Sequence, residues 1–339
     1  MSEDRATTPP SAGDGGCLPG GTTQPCPCQC GDVRWADAQA YCGDDVRLSA
    51  AFTGTCPDGP ATVEVLNAAG AVIATINSTL RGGRVDATWV AKAPNAGWRT
   101  EQIRFRVQAA GLTCSSSNAF TFRQRPTTAW EKIDHDYPCT PARFAPVAEL
   151  HDARLEANRV HYSLKLKTHG ATFTPARQTN AKTLAENIWN NGFSSKKFHR
   201  SACRRGNTCD CAFDCCKAGY RLDVNFVPSG EHVDIQIVAA PAPPAATPAS
   251  GTSRNGSLWY EPPLDEPSMY GHEVGHLLGQ FDEYSGGAND PSGTQPAVSP
   301  VPNLMATPLD TTLLNRHYRR ALTFLNSKTS GDSYVIIPP

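Results

Sequence analysis

His272 and His276 stand four residues apart with Glu273 between them, in YGHEVGHLLGQFDEY (270–284), and no other residues of the chain are so well placed to do chemistry. On a helix of about 3.6 residues per turn, such positions lie one above the other. Both imidazoles can then reach one metal ion, with Glu273 beside them. Val274, Leu277, Leu278 and Phe281 fall on the opposite side of the wheel, so one face binds and the other packs. Gly271 and Gly275 carry no side chain where the helix must approach its neighbours, and Gly279 is placed to end it in a left-handed conformation.

A catalytic zinc keeps three protein ligands and leaves a position for water. Downstream of His276 the acidic or histidine candidates are Asp282, Glu283, Asp290, Asp310, His317 and Asp332. Asp310 directly precedes TTLLNRHYRRALTFL, where Leu314, Tyr318, Leu322 and Leu325 share a helical face, and it reads as the N-cap of that helix. His317 lies on the same helix among arginines and ranks second. The absence of glutamate beyond Glu283 excludes a distant helical Glu ligand. Asp282, six residues after His276 and just past the Gly279 turn, is the expected third ligand. Glu283 is expected to support a ligand, and Tyr284 either to donate a hydrogen bond to an oxyanion or to pack. With Zn²⁺ held by His272, His276 and Asp282, the expected chemistry is that the metal would acidify a water and Glu273 would be placed to take its proton during attack on a peptide carbonyl.

HEVGHLLGQFD resembles the HExxHxxGxxH signature of the metzincin zinc peptidases, with aspartate in place of the third histidine. Snapalysin-like bacterial peptidases are similar in that replacement, and relatives of the immunoglobulin A peptidases in the DEY ending, here Asp282, Glu283 and Tyr284. Metzincins also carry a methionine turn beneath the metal, which PNLMATP matches with Met305. The resemblance implies an α+β zincin catalytic domain, a zinc cofactor and a peptide or protein substrate, cell-wall peptides included.

The elements that must hold this site begin at about residue 151. VHYSLKLKT, RLDVNFV and HVDIQIVA alternate apolar and polar residues as strands do, and NAKTLAENIWNNGF reads as a packing helix capped by Asn180, with Trp189 in the core. SLWY is expected to form an edge strand, where an extended substrate can pair, with Trp259 and Tyr260 lining the cleft or packing. APAPPAATPASGTSRNG reads as a mobile surface loop. Residues 151–339 thus form the expected peptidase domain. Residues 126–150 read as a linker, with His135, Asp134 and Asp136 in a solvated loop. Residues 41–125 show period-two alternation between tight turns and resemble an immunoglobulin-like β-sandwich, read as a spacer; residues 1–40 read as an irregular Cys/Pro/Gly-rich tail. The expected fold is therefore multidomain, an all-β sandwich followed by an α+β zincin-like domain.

The chain has 339 residues, and its net charge of −1 gives no general attraction to nucleic acid. No apolar run is long enough to span a bilayer and no signal peptide is visible. Thirteen cysteines point nonetheless to an oxidising destination. A protein secreted or delivered outside the cell without a signal peptide reconciles the two, as in effectors carried by a contractile secretion machine; a lost signal peptide or metal-binding cysteines would do so equally. Cys56 is able to join Cys114 or Cys42. Cys203, Cys209, Cys211, Cys215 and Cys216 have spacings unlike the usual zinc pairs and read as a disulfide-stapled loop. A thiolate of the tail as a cap on the zinc, and a non-catalytic adhesion protein on a zincin-shaped scaffold, are the competing readings.

Overall fold

A computed structural model describes residues 26–339, apart from 95–97, 171–172, 207–208, 210–215, 240–250, 255–256, 262–266, 308–309, 330 and 339. The fold is rich in β-strands and divides into two compact units. One consists of the residues to Ala38 with Val46–Trp89 and Glu101–Thr121; the other takes Gln39–Asp45, Val90–Thr100 and Phe122 onward. No described helix is long and apolar enough to cross a membrane.

In the first unit, strands Gln29–Trp35, Asp45–Thr53 and Arg84–Val90 form one sheet. A second has the order Val72–Leu80, Gly59–Leu66, Arg104–Ala109, Leu112–Ser115. Val46, Leu48, Ala50 and Phe52 are buried at alternate positions, as the period of a half-buried strand requires. Trp35 of the first sheet meets Phe105 of the second edge-on, with ring centroids 4.8 Å apart, so the inner faces of the two sheets pack together. Strand Gln29–Trp35 corrects the expectation of an irregular tail to residue 40. It buries only Val33 and Trp35, too short an alternation to show through the cysteines and glycines around it. Cys30–Cys114 is a disulfide that ties the two sheets and Cys28–Cys56 is another; Cys56 and Cys114 are therefore not joined to each other. Cys28 and Cys30 carry no free thiolate to cap a metal.

The second unit is built on a mixed sheet with the order Glu131–Tyr137, Val147–Glu156, Arg159–His169, Lys217–Phe226, Lys197–Arg200, Tyr334–Ile337. Val233–Ala239 pairs in parallel with Arg159–His169, and Ser257–Glu261 in parallel with Val233–Ala239. Arg159–His169 and Lys217–Phe226 are parallel neighbours, and parallel strands need a crossover. Helix α1 (Pro175–Ser194) provides it, capped by Thr174 rather than Asn180 and burying Ala181, Ala185, Ile188, Trp189 and Phe193 on the sheet. The expected linker is ordered: Glu131–Tyr137 is a strand along its whole length, and Asp134 and Asp136 on it pair with Arg254. The C-terminal helix is shorter than its apolar pattern, a 3₁₀ turn over Asn315–Tyr318 followed by helix α3 (Arg319–Lys328). Asp310 consequently caps a turn, accepting from the Thr312 amide, and not a helix.

Candidate metal centre

Helix α2 (Pro267–Leu277) carries the motif. Its close neighbours explain two of its glycines. A Cβ on Gly271 would lie 2.8 Å from Ile188 Cδ1 of α1, and one on Gly275 would lie 2.7 Å from Met305 Sδ and 3.1 Å from Trp189 Cζ2. Trp189 fastens the same contact by donating from Nε1 to the Gly271 carbonyl at 3.0 Å, a packing role. The helix closes with the bond pair of a Schellman motif, Gly279 N–H to His276 O and Gln280 N–H to Gly275 O, with Gly279 at φ +75°. The chain then reverses, and Asp282 returns to the histidines. Because Gly275 is crowded by the core, Gly275→Ala should destabilise the protein by about 1–3 kcal/mol, an overpacking cost. Gly59→Ala, where nothing lies within 4 Å, should leave the unfolding midpoint nearly unchanged. Denaturant titration of the two variants checks the contrast.

His272, His276 and Asp282 are all buried, with ligand atoms within 4.8 Å of one another. Each imidazole is oriented by a carbonyl: His272 Nδ1 bonds Leu304 O at 2.8 Å, and His276 Nδ1 bonds Gln280 O at 2.9 Å. Nδ1 thus carries the proton, and Nε2 of each ring is left as a lone-pair donor facing Asp282. Asp282 Oδ1 lies 3.2 Å and 3.5 Å from the two Nε2 atoms, buried and without a hydrogen-bond partner, whereas Oδ2 accepts from the Ala288 amide at 2.7 Å. Two imidazole nitrogens and an orphaned carboxylate oxygen around one point form a donor set that fits a divalent cation. The electrostatics agree. Burial alone would raise the Asp282 carboxyl, but the neighbouring His276 and His272 hold it well below the usual range; burial would likewise lower His276, and Asp282 lifts it to about 9.

Glu273 is buried beside this set, its charge reaching both His276 and Tyr284. Its Oε2 accepts from Thr252 Oγ1 at 2.5 Å, and that hydroxyl accepts from Trp259 Nε1 at 2.8 Å. Trp259 is therefore a buried scaffold residue on an end strand, and Thr252 positions the glutamate. The tail of the low-complexity stretch is fixed at this point. Gly251 bridges to Leu258 and Arg254 holds the two aspartates described above; residues 240–250 lie outside the described set. Tyr284 is 37% exposed, with its ring centroid 6.4 Å from that of His272. Burial, then the nearby Asp282 charge, raise its phenol, which stays protonated as a donor.

One residue stands differently from expectation. Glu283 faces neither ligand histidine: it takes Arg316 Nε at 2.6 Å and Nη2 at 2.5 Å, Asn303 Nδ2 at 2.9 Å and His317 Nε2 at 3.3 Å. It acts one step removed, since Asn303 in turn holds the Met305 amide at 2.9 Å, next to the Leu304 carbonyl that orients His272. His317 has both ring nitrogens engaged, Nδ1 by the Leu314 amide and Nε2 by Glu283, and lies outside the ligand group. Asn289 and Gln295, which the sequence reading passed over, organise the loop after Asp282. Asn289 Nδ2 donates to the carbonyls of Asp282, Tyr284 and Ala297, and Gln295 Oε1 accepts from the Phe281 amide at 2.7 Å. Met305 is fully buried under α2 at Gly275.

No family model matches the chain, and no curated protein matches it. Over 39% of its length it is similar to the native conformation of E. coli alpha-2-macroglobulin, with 15% identity, a TM-score of 0.23 and 8% of that chain covered. It is similar over 39% of its length to Spo0M, a sporulation control protein from Bacillus subtilis, with 10% identity, a TM-score of 0.23 and 76% of that chain covered. Over 75% of its length it is similar to Cwp6 from Clostridium difficile, with 8% identity, a TM-score of 0.21 and 40% of that chain covered. At such TM-scores these likenesses carry no argument about fold or activity.

Proposed function

We propose that the second unit is a zincin-like peptidase that hydrolyses peptide bonds with Glu273 as general base and with His272, His276 and Asp282 as the ligands of a zinc ion. One observation carries the reading. Two imidazoles with their Nδ1 atoms pinned turn Nε2 toward an orphaned carboxylate oxygen, and a buried glutamate stands beside them. A purely structural site has no use for that glutamate. When bound, zinc would supply a Lewis acid that polarises the scissile carbonyl and makes a water acidic near neutral pH.

The chain's own residues do the rest. Thr252 engages Glu273 Oε2, which fixes the carboxylate and leaves Oε1 to take a proton from the attacking water. The same oxygen then delivers that proton to the departing amine. The phenol of Tyr284, kept protonated by its surroundings, is a donor for negative charge developing on the carbonyl oxygen. Leu304 and Gln280 hold the imidazole tautomers, and Met305 and Trp189 fix the helix from beneath. The disulfides Cys28–Cys56 and Cys30–Cys114 support an oxidising destination, consistent with delivery outside the producing cell.

Metal dependence tests the reading. Dialysis against a chelator should abolish cleavage of a mixed peptide library, and stoichiometric zinc should restore it; cleavage that persists after the metal is stripped would remove zinc from the reaction.

A further inference from the structure

A second group of metal-ligating side chains lies in the same unit, with no connection to the histidine motif. His199, Cys203, Cys209 and Cys216 are all buried, and their ligand atoms lie within 4.8 Å of one another. The stretch reads as a disulfide staple in sequence, but Cys203, Cys209 and Cys216 are free thiols; Cys211 and Cys215 lie outside the described residues. Cys209 Sγ and Cys216 Sγ are 2.8 Å apart, beyond the about 2.05 Å of a disulfide. We infer that these four residues hold a structural zinc ion in a closed Cys₃His site.

Three independent features support this assignment. His199 is 3% exposed and its Nε2 is buried without a hydrogen-bond partner, a cost that a metal bond removes. Three sulfurs and an imidazole are the tetrahedral donor set that zinc prefers. Sulfurs about 2.3 Å from a central zinc sit roughly 3.8 Å apart, so the Cys209 and Cys216 sulfurs, 2.8 Å apart here, would separate by about 1 Å around the ion, within the 4.8 Å span of the group. Lys217 supplies the third feature. It is buried, its ammonium donates to the Cys209 carbonyl, and no carboxylate pairs with it among the described residues. Three thiolates and a divalent zinc leave one net negative charge, which gives this lysine the counter-charge a buried cation requires.

The placement of the ligands indicates what the site does. His199 lies on strand Lys197–Arg200, in register with Lys217 on the neighbouring strand, and Cys216 immediately precedes that strand. Cys203 and Cys209 lie in the connection between the two strands, on successive turns closed by Cys203 N–H to Arg200 O, Gly206 N–H to Cys203 O and Cys209 N–H to Gly206 O. One ion therefore pins the turns at Cys203 and Cys209 to two paired strands. With four protein ligands there is no position left for water, so the site stabilises and does not catalyse. It also accounts for cysteines kept as thiols in a chain that forms disulfides elsewhere.

Cobalt substitution of the full-length protein tests the assignment without depending on the catalytic reading. The His272–His276–Asp282 group contains no sulfur, so a thiolate-to-cobalt charge-transfer absorption that depends on Cys209 reports the cysteine site. Full-length protein purified under reducing conditions and loaded with Co²⁺ should show that absorption. It should fall in Cys209→Ser with the loss of a thiolate and rise in His199→Cys, which adds a fourth. Zinc analysis should give two ions per chain in the wild type, one in Cys209→Ser and one in Asp282→Ala. Peptide hydrolysis without the absorption would overturn this inference and leave the peptidase reading standing; the absorption without hydrolysis would do the reverse. Peptide mapping that finds Cys209 and Cys216 in a disulfide would also overturn it, and the wild-type spectrum decides the matter even if a variant fails to fold.

Discussion

Protein carrying Glu273→Gln is expected to keep its zinc and its fold and to lose peptide hydrolysis by a factor of about 10²–10⁴, the usual contribution of a positioned general base. Glu273 is not among the grouped ligand atoms, so metal content should be unaffected. The amide oxygen of glutamine can still accept from Thr252, as the carboxylate Oε2 does, so the buried environment around Trp259 should persist. The loss should appear in kcat with little change in KM, because the residue acts on the proton of water and not on the ground-state substrate. A variant retaining wild-type kcat would remove Glu273 from the chemistry.

Asp282→Ala is expected to lower zinc affinity at the histidine motif by more than about 100-fold, since losing only an outer partner of a ligand costs 10–100-fold. The carboxylate is the sole anionic donor of that group, and the close approach of Gly287, where a Cβ would lie 2.5 Å from Asp282 Cβ, shows how tightly its position is fixed. His317→Ala should leave zinc content unchanged while weakening the Glu283 anchor. If zinc retention measured by competition with a chromogenic chelator instead fell in His317→Ala and held in Asp282→Ala, the ligand assignment would be reversed.

The motif helix, its two-faced pattern and the strands near 160, 222 and 235 were legible because each shows a clean period in its apolar residues. Asp282 was legible for a different reason: few donors follow His276, and Gly279 supplies the turn that brings one back. The loop after Asp282 was not legible. Its order comes from the buried amides of Asn289 and Gln295 bonding backbone groups, and such bonds leave no periodic trace. Strand Gln29–Trp35 was hidden among cysteines and glycines, and Thr252 by the low-complexity stretch before it. The Cys₃His group escaped because its ligands come from a strand, two turns and a strand end. Their sequence spacing follows those elements and not the paired spacing of familiar zinc motifs. Glu283 shows the opposite limit, for its position beside a ligand suggested direct support, whereas its carboxylate turns to Arg316 and Asn303.

The central claim is that the buried histidine–aspartate set and Glu273 together hydrolyse peptides. Its most direct test is a mixed peptide library digested in parallel by wild-type and Glu273→Gln protein, with bound zinc quantified on the same samples. New peptide termini with the wild type alone, at equal zinc content, are the predicted result. Equal inertness of both proteins with zinc fully bound would contradict it.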